Sequence, residues 1–286
     1  MDKMTKKMIN FKKIGIGKVL LYGFLLVLAF IQMYPFVWLL FFSFKSNSEI
    51  FGGNIAGFPE KLLWENYTAV LVNGKVGLYF MNSVLVTAVT VLLSSIIAGM
   101  AAYAIERMKW KLSKAALVMF LMGLMIPIHA TLLPLFIFFK QLKMLNSYWC
   151  LILPYVGFAM PMAMYVLVGF LKGIPREMEE SALLDGCNIY VAFFRIIVPM
   201  MKPAFATVAI FTFLSAWNEL MLAVTFISKA EYRTLTVGVQ QMVGQYVTKW
   251  GHIGAGLVIA TLPTIIIYSF MSGEVQKSLI SGAVKG

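Results

Sequence analysis

KGIPREMEESALLDGCNIYVAFFRIIVPMMKP, residues 172–203, is a polar insert in a chain that is otherwise greasy. Long apolar segments flank it, so a stretch carrying both signs of charge and several small side chains marks a loop outside the membrane. Pro175 suits a helix start, because a first-turn position has no intrahelical use for its missing N–H. Glu177, Glu179 and Glu180 then fall in the first turns, where acids favour the positive helix end. Gly186 is a stop signal. The reading is a short helix with acids at its start. Ser181, Ala182 and Gly186 lie along it, small residues that let another surface approach closely.

The composition places this loop in a polytopic membrane protein. Of 286 residues, 60% are hydrophobic and 13% charged, with mean hydropathy +0.84; a soluble domain carries about 25% charge. A bilayer crossing takes about 20 apolar residues. Runs of that length occupy 19–44, 76–105, 115–139, 144–171, 204–228 (broken only by Glu219) and 250–273. Helices satisfy their own backbone in lipid, and no run alternates as a transmembrane strand does. The expectation is one all-α domain, 1–286, with six transmembrane helices. Six lysines precede the first run, as in a signal peptide. That run is too long for a signal core and lacks a cleavage site, so it reads as a retained helix.

Lys and Arg set the orientation. With both ends inside, the inner segments hold 16 of the 24 and the outer segments 8. The bias puts both termini and the 172–203 loop in the cytoplasm of a multi-pass cell-membrane protein. It also accounts for the net charge of +12. The basic residues are scattered over loops, which does not suit nucleic acid. Cys150 and Cys187 fall on opposite sides of the membrane and cannot pair; neither has a metal-ligand setting.

Residues 172–203 resemble the EAA loop of ABC-importer permeases: E-A-A, three residues, G, nine residues, I, one residue, L-P. Glu180, Ala182, Gly186, Ile196 and Pro199 match at that spacing, with Ser181 for the first Ala and Val198 for the Leu. Asp185 and Pro203 are similar to the carbohydrate-uptake, maltose-type branch. So are Pro59, Trp64-Glu65-Asn66-Tyr67, Asn82-Ser83, the 102–107 turn AYAIER, Trp217-Asn218-Glu219 and the tail GAVKG. The other reading of the loop is an ordinary acid-capped connector. The resemblance implies the ABC type I importer permease fold and a sugar or oligosaccharide as substrate. The implied partners are a second permease subunit of different sequence, two ATP-binding subunits and an extracytoplasmic solute-binding protein. It implies alternating access, with the loop at about 172–203 transmitting ATPase motion.

No G-x-x-x-x-G-K-[ST] phosphate loop occurs, so this chain lacks an ATPase cradle; no cofactor, metal or catalytic set is expected. His129, beside Pro127 and Thr131, is a polar residue facing the bundle or lining the pathway. Glu219 is the acid inside a span, where charge is expensive. Placed in the outer half of the fifth helix with Trp217 and Asn218, it either stabilises the bundle or meets sugar hydroxyls. Pro127, Pro134, Pro154, Pro161 and Pro263 free carbonyls and tend to kink, which makes helices three and four candidates for the pathway wall. Tyr155, Tyr165 and Trp149 offer flat faces to sugar rings or anchor at the interface. Outer loop 45–75 is amphipathic and suits the outer interface. The stretch 234–248 is too polar for lipid and reads as an outer loop partly buried against the bundle. Rival functions are an importer of the same family for a glycerol phosphodiester, an ion-coupled secondary transporter, and a membrane enzyme.

Overall fold

A computed structural model describes residues 16–108, 110–244 and 248–283, with side chains in the last helix as far as Gly273. Most of the expected lysine-rich tail, Lys109 and the final VKG from Val284 on lie outside the described residues. Among the described residues there is no strand. The chain runs through α1 (Ile16–Phe42), α2 (Asn47–Phe51), α3 (Glu65–Val72), α4 (Val76–Glu106), α5 (Ser113–Met122), α6 (Leu132–Gln141) and α7 (Trp149–Leu171). It continues through α8 (Glu177–Leu184), α9 (Ile189–Ala192), α10 (Val198–Met200), α11 (Lys202–Trp217), α12 (Met221–Phe226), α13 (Leu235–Gln240) and α14 (Trp250–Ala283).

Among the described residues, four helices are long and apolar enough to cross a bilayer: α1, α4, α7 and the Trp250–Gly273 part of α14. The other two expected spans are not single helices. Run 115–139 is broken: α5 gives way to a 3-10 turn, Gly123–Met125, and a second, Ile128–Thr131, precedes α6, so the two halves meet at 93°. The cause is local. Pro127 drives Ile126 out of the helical region, to φ −84 and ψ 114. Pro134 costs nothing, because it sits in the first turn of α6 where N–H groups have no helical partner. Run 204–228 also ends early, with α11 stopping at Trp217 and α12 starting at Met221. By contrast Pro154 and Pro161 are absorbed inside one helix, α7. Gly123 explains how the broken span still packs on it: a Cβ there would lie 2.6 Å from Pro161 Cγ.

α4, α7 and α11 form the centre, with α14 against α11. Packing at the end of the bundle that carries the 172–203 loop is built on Tyr103, Met164, Leu167, Leu171, Phe193 and Ile197. α1 is nearly bare, with Phe42 its only buried residue. An apolar cavity of about 640 Å3 opens between α4, α11 and α14, lined by Val91, Phe213, Trp217, Pro263 and Ile267 among others.

The loops expected on the outer side are held by more internal bonds than an interfacial loop requires. Lys45, fully buried, donates from Nζ to the carbonyls of Asn54 at 2.6 Å and Gly57 at 2.7 Å, and more weakly to that of Ile55 at 3.3 Å. The chain thus folds around an ammonium, and Phe58 packs on Phe41 of α1. Buried Asn82 and Ser83 on α4 hold the later loop: the Asn82 amide donates to the carbonyls of Glu231 and Arg233, and Ser83 accepts from the N–H of Leu235. Stretch 234–248 does bury part of itself, through Leu235, Val237 and Val239 of α13; residues 245–247 lie outside the described residues.

Candidate functional site

α8 is the expected acid-led helix, shifted. It begins at Glu177, so Pro175 stands outside it, ahead of the cap residue Arg176. Its end is as expected, and the hydrogen bonds say why. The N–H of Gly186 donates to Leu183 O and that of Cys187 to Ala182 O, the paired bonds of a Schellman stop. That closure needs a left-handed residue, and Gly186 has φ +84. A Cβ there would meet nothing within 4 Å, so the requirement is backbone conformation and not space within this chain. Asn188 then caps α9, accepting from the N–H of Val191 at 2.9 Å.

The Ile196–Pro199 end of the motif takes a form the sequence reading missed. Phe193–Ile197 is a π turn, in which Val198 N–H reaches back to Phe193 O. Pro199 has no N–H, and its ring would crowd the carbonyl four residues earlier. A wider turn just ahead of it relieves both. After Met200 the chain bends by 75° into α11.

α8 presents two faces. Glu180, Ser181, Leu184, Asp185 and Gly186 are exposed, Leu184 at 89%. Ala182 is buried, so it serves packing within this chain and not an approaching surface. Beside it on the inward face lies Glu179, 8% exposed. Tyr103 Oη donates to Glu179 Oε2 at 3.0 Å, and Arg107 Nε stands 2.9 Å from Oε1. That second contact is an ion pair without a well-aligned hydrogen bond. Arg107 also donates from Nη2 to the carbonyls of Leu171 and Ile174 at 2.9 and 2.7 Å, closing the end of α7. One buried cluster therefore ties α8 to the ends of α4 and α7. Sequence reasoning counted Arg107 as a topology charge and Glu179 as a helix-end acid; the available signal was the 102–107 turn, which holds both Tyr103 and Arg107.

The second set of residues only partly converges. Glu219 lies just past α11, not within it. Its Oε1 accepts from Leu222 N–H at 2.7 Å, and its Oε2 from Ala223 N–H at 3.1 Å and from Tyr155 Oη at 2.6 Å. The carboxylate caps α12 at its positive end and fastens it to α7. Buried Trp217 stacks on Phe213 and donates to Ala260 O at 2.9 Å. Asn218 is exposed. It borders a cavity of about 360 Å3 between the end of α11, α13 and α14, with Thr236, Gln240, Thr261 and Thr264 among its lining. Among the described residues, no charged side chain lines that cavity and Thr264 Oγ1 is buried without a partner. His129 is not bundle-facing: it is exposed on the Ile128–Thr131 turn and shares no hydrogen bond with Tyr155 or Glu219. Tyr165 and Trp149 are exposed as well, at 62% and 51%.

Comparison with known proteins follows the same lines. Residues 91–280 match the family described as binding-protein-dependent transport system inner membrane component. The chain belongs to this family. The permease is 34% identical over 254 residues to the sulfoquinovosyl glycerol transport system permease protein SmoH of Agrobacterium fabrum, covering 89% of each chain. It is 32% identical over 274 residues to the probable starch degradation products transport system permease protein AmyC of Thermoanaerobacterium thermosulfurigenes, covering 96% of this chain and 99% of that one. Its fold matches a crystal structure of a bacterial ABC transporter involved in import of the acidic polysaccharide alginate, with TM-score 0.79, 20% identity, and coverage of 92% and 97%. The permease thus has the all-α ABC-importer permease fold expected for it, and it is a transport subunit of the inner membrane.

Proposed function

We propose that the permease forms half of the translocation path of an ATP-driven importer for a sugar or oligosaccharide, working by alternating access. The observation that carries this is α8, whose exposed Glu180–Leu184 face is mounted by the Glu179–Arg107 cluster on two spanning helices. Such a helix receives force at its outer face and delivers it to the bundle. In this reading the loop at 172–203, with Glu180, Ser181, Ala182, Asp185, Gly186, Ile196 and Pro199, is the coupling element for one of two ATP-binding subunits. ATP binding closes those subunits and opens the path outward to a solute-binding protein; hydrolysis resets it. Both termini lie in the cytoplasm. Bare α1 and the apolar α4/α11/α14 cavity support a second permease subunit packed against this one.

The cavity beside Asn218 supports a neutral, hydroxyl-rich solute. Its side-chain amides and hydroxyls are neutral, and a phosphodiester would call for cations there. Glu219, with both carboxylate oxygens already engaged, acts as a scaffold for that wall. Uptake into vesicles, measured with and without ATP and binding protein, tests the reading. Uptake that follows an ion gradient and ignores ATP would overturn it.

A further inference from the structure

A second cavity, of about 350 Å3, lies among the ends of α4, α5 and α7. Lys114, Lys172 and Arg176 line it, with the Ser113 hydroxyl and the apolar side chains of Ile105, Met108 and Leu117. Glu106 is the one carboxylate in its lining, so cations exceed it by two. Among the described residues, no carboxylate oxygen lies within 4 Å of any of the three cationic groups. Arg176 gives one hydrogen bond, to Glu106 O at 3.2 Å; the two lysines give none to described residues.

The depth of the cavity follows from the helices that bound it. The apolar run of α4 ends at Glu106, that of α7 ends at Leu171, and that of α5 begins just after Lys114. All three meet the cavity where they pass from hydrocarbon to water. Exposed Met108, Trp110 and Leu112 flank it at that level, Leu112 at 65%, and Trp favours the headgroup layer. α8, the proposed ATPase contact, begins at Glu177, directly after Arg176. An unneutralised basic cavity with a greasy rim, at the membrane surface, is complementary to a lipid phosphate and to the chain attached to it.

We propose that this cavity is a binding site for the phosphate of an anionic phospholipid of the cytoplasmic leaflet. The leaflet rests on the proposed orientation; the chemistry of the site does not. A lipid held there bridges α4, α5 and the coupling loop, so its occupancy bears on the segment that receives force.

The test uses the assembled importer in phosphatidylcholine vesicles doped with spin-labelled phosphatidylglycerol. The preference for phosphatidylglycerol should fall roughly fivefold for each cation removed, hence roughly 25-fold in the Lys114→Gln/Lys172→Gln pair. Lys114→Arg/Lys172→Arg should keep it, as should Lys140→Gln/Lys143→Gln at the far end of α6. Should the first pair fail to assemble, Lys114→Gln alone, on an exposed side chain without a hydrogen bond, should show the fivefold loss. An unchanged preference in these Gln variants overturns the proposal. Displacement by millimolar inorganic phosphate would make this a soluble-phosphate site and overturn the lipid assignment. A preference that emerges only on removing the ATP-binding subunits would make it a protein contact and do the same. Both leaflets carry the probe, so the outcome is independent of orientation, which thiol labelling decides separately.

Discussion

Arg107→Met should be among the most damaging single substitutions outside the membrane core, and the structure sets its size. Arg107 and Glu179 have side chains 5% and 11% exposed, so solvent does little to screen their pairing. Removing the guanidinium leaves a buried carboxylate with the Tyr103 hydroxyl as its remaining partner, and strips two donors from the carbonyls of Leu171 and Ile174. Breaking a buried pair from one side costs about 3–5 kcal/mol. Glu179→Gln is milder. Tyr103 keeps an acceptor and Arg107 keeps both carbonyls, so the cost is that of one charged contact, about 1–3 kcal/mol. The double variant should be more stable than Arg107→Met alone, because it leaves no unpaired charge buried; the singles are then non-additive, as expected for residues in contact.

Two measurements read the outcome. Thermal unfolding of the purified importer in detergent gives the stability order: wild type, Glu179→Gln, the double variant, Arg107→Met. Solute-stimulated ATP hydrolysis set against uptake gives the coupling. With α8 loosened from α4 and α7, the variants should hydrolyse more ATP per solute moved. An Arg107→Met protein within about 0.5 kcal/mol of wild type, the range of an ordinary surface change, would refute the reasoning. So would strictly additive singles.

Three further outcomes follow from the geometry. Gly186→Val forces a β-branched residue to φ +84 and should cost roughly 1–2 kcal/mol and lower coupled transport, while Gly186→Asn, which tolerates the left-handed region, stays near wild type; equal transport in both would show that the stop is dispensable. Glu219→Gln should cost about 1–3 kcal/mol of stability, the worth of a charged cap hydrogen bond, read as a lower melting temperature, and leave solute preference unchanged; a changed preference assigns the carboxylate to the solute instead. Cys187, half-buried, should react with an impermeant thiol reagent in inverted vesicles and not in intact cells, and Lys140→Cys should do the reverse; buried Cys150 should stay silent from both sides.

What could be read in the sequence was what depends on neighbours along the chain. The Gly186 stop was legible because a Schellman closure is a matter of a few residues and one left-handed φ. The spans 19–44, 76–105, 144–171 and 250–273 were legible because hydrocarbon thickness imposes length. The 115–139 run shows where that logic fails: composition reports that a segment is apolar, not that it is straight. Pro127 was noted as a kink, yet Pro154 and Pro161, noted likewise, sit buried in an intact α7, so the local push of a proline on its predecessor is realised in one span and overridden by packing in the other. Glu219 was ambiguous for a related reason. Its partners include Tyr155, far back along the chain, and which way a side chain faces is decided by tertiary packing. Arg107 and Glu179 stayed hidden because each had a sufficient local explanation, one as a topology charge and one as a helix-end acid.

That double use of charge bears on how the proposed coupling element is made. Glu179 and Glu180 are adjacent, about 100° apart around a helix of 3.6 residues per turn. Glu179 shares its face with Ala182, three residues on, and both are buried; Glu180 shares its face with Leu184, four residues on, and both are exposed. The acid cluster is thus divided between anchoring and display. An exposed acid pair with small and apolar neighbours would serve a partner equally well on a flexible loop, but a flexible loop transmits no force. The inward acid supplies the stiffness, since its counter-charge comes from Arg107 at the end of α4 and is itself held by the last carbonyls of α7. Displacing α8 without moving those two helices would expose or separate a buried ion pair. The lower-energy response is for α4 and α7 to move with it, and these two helices, with α11, form the centre of the permease.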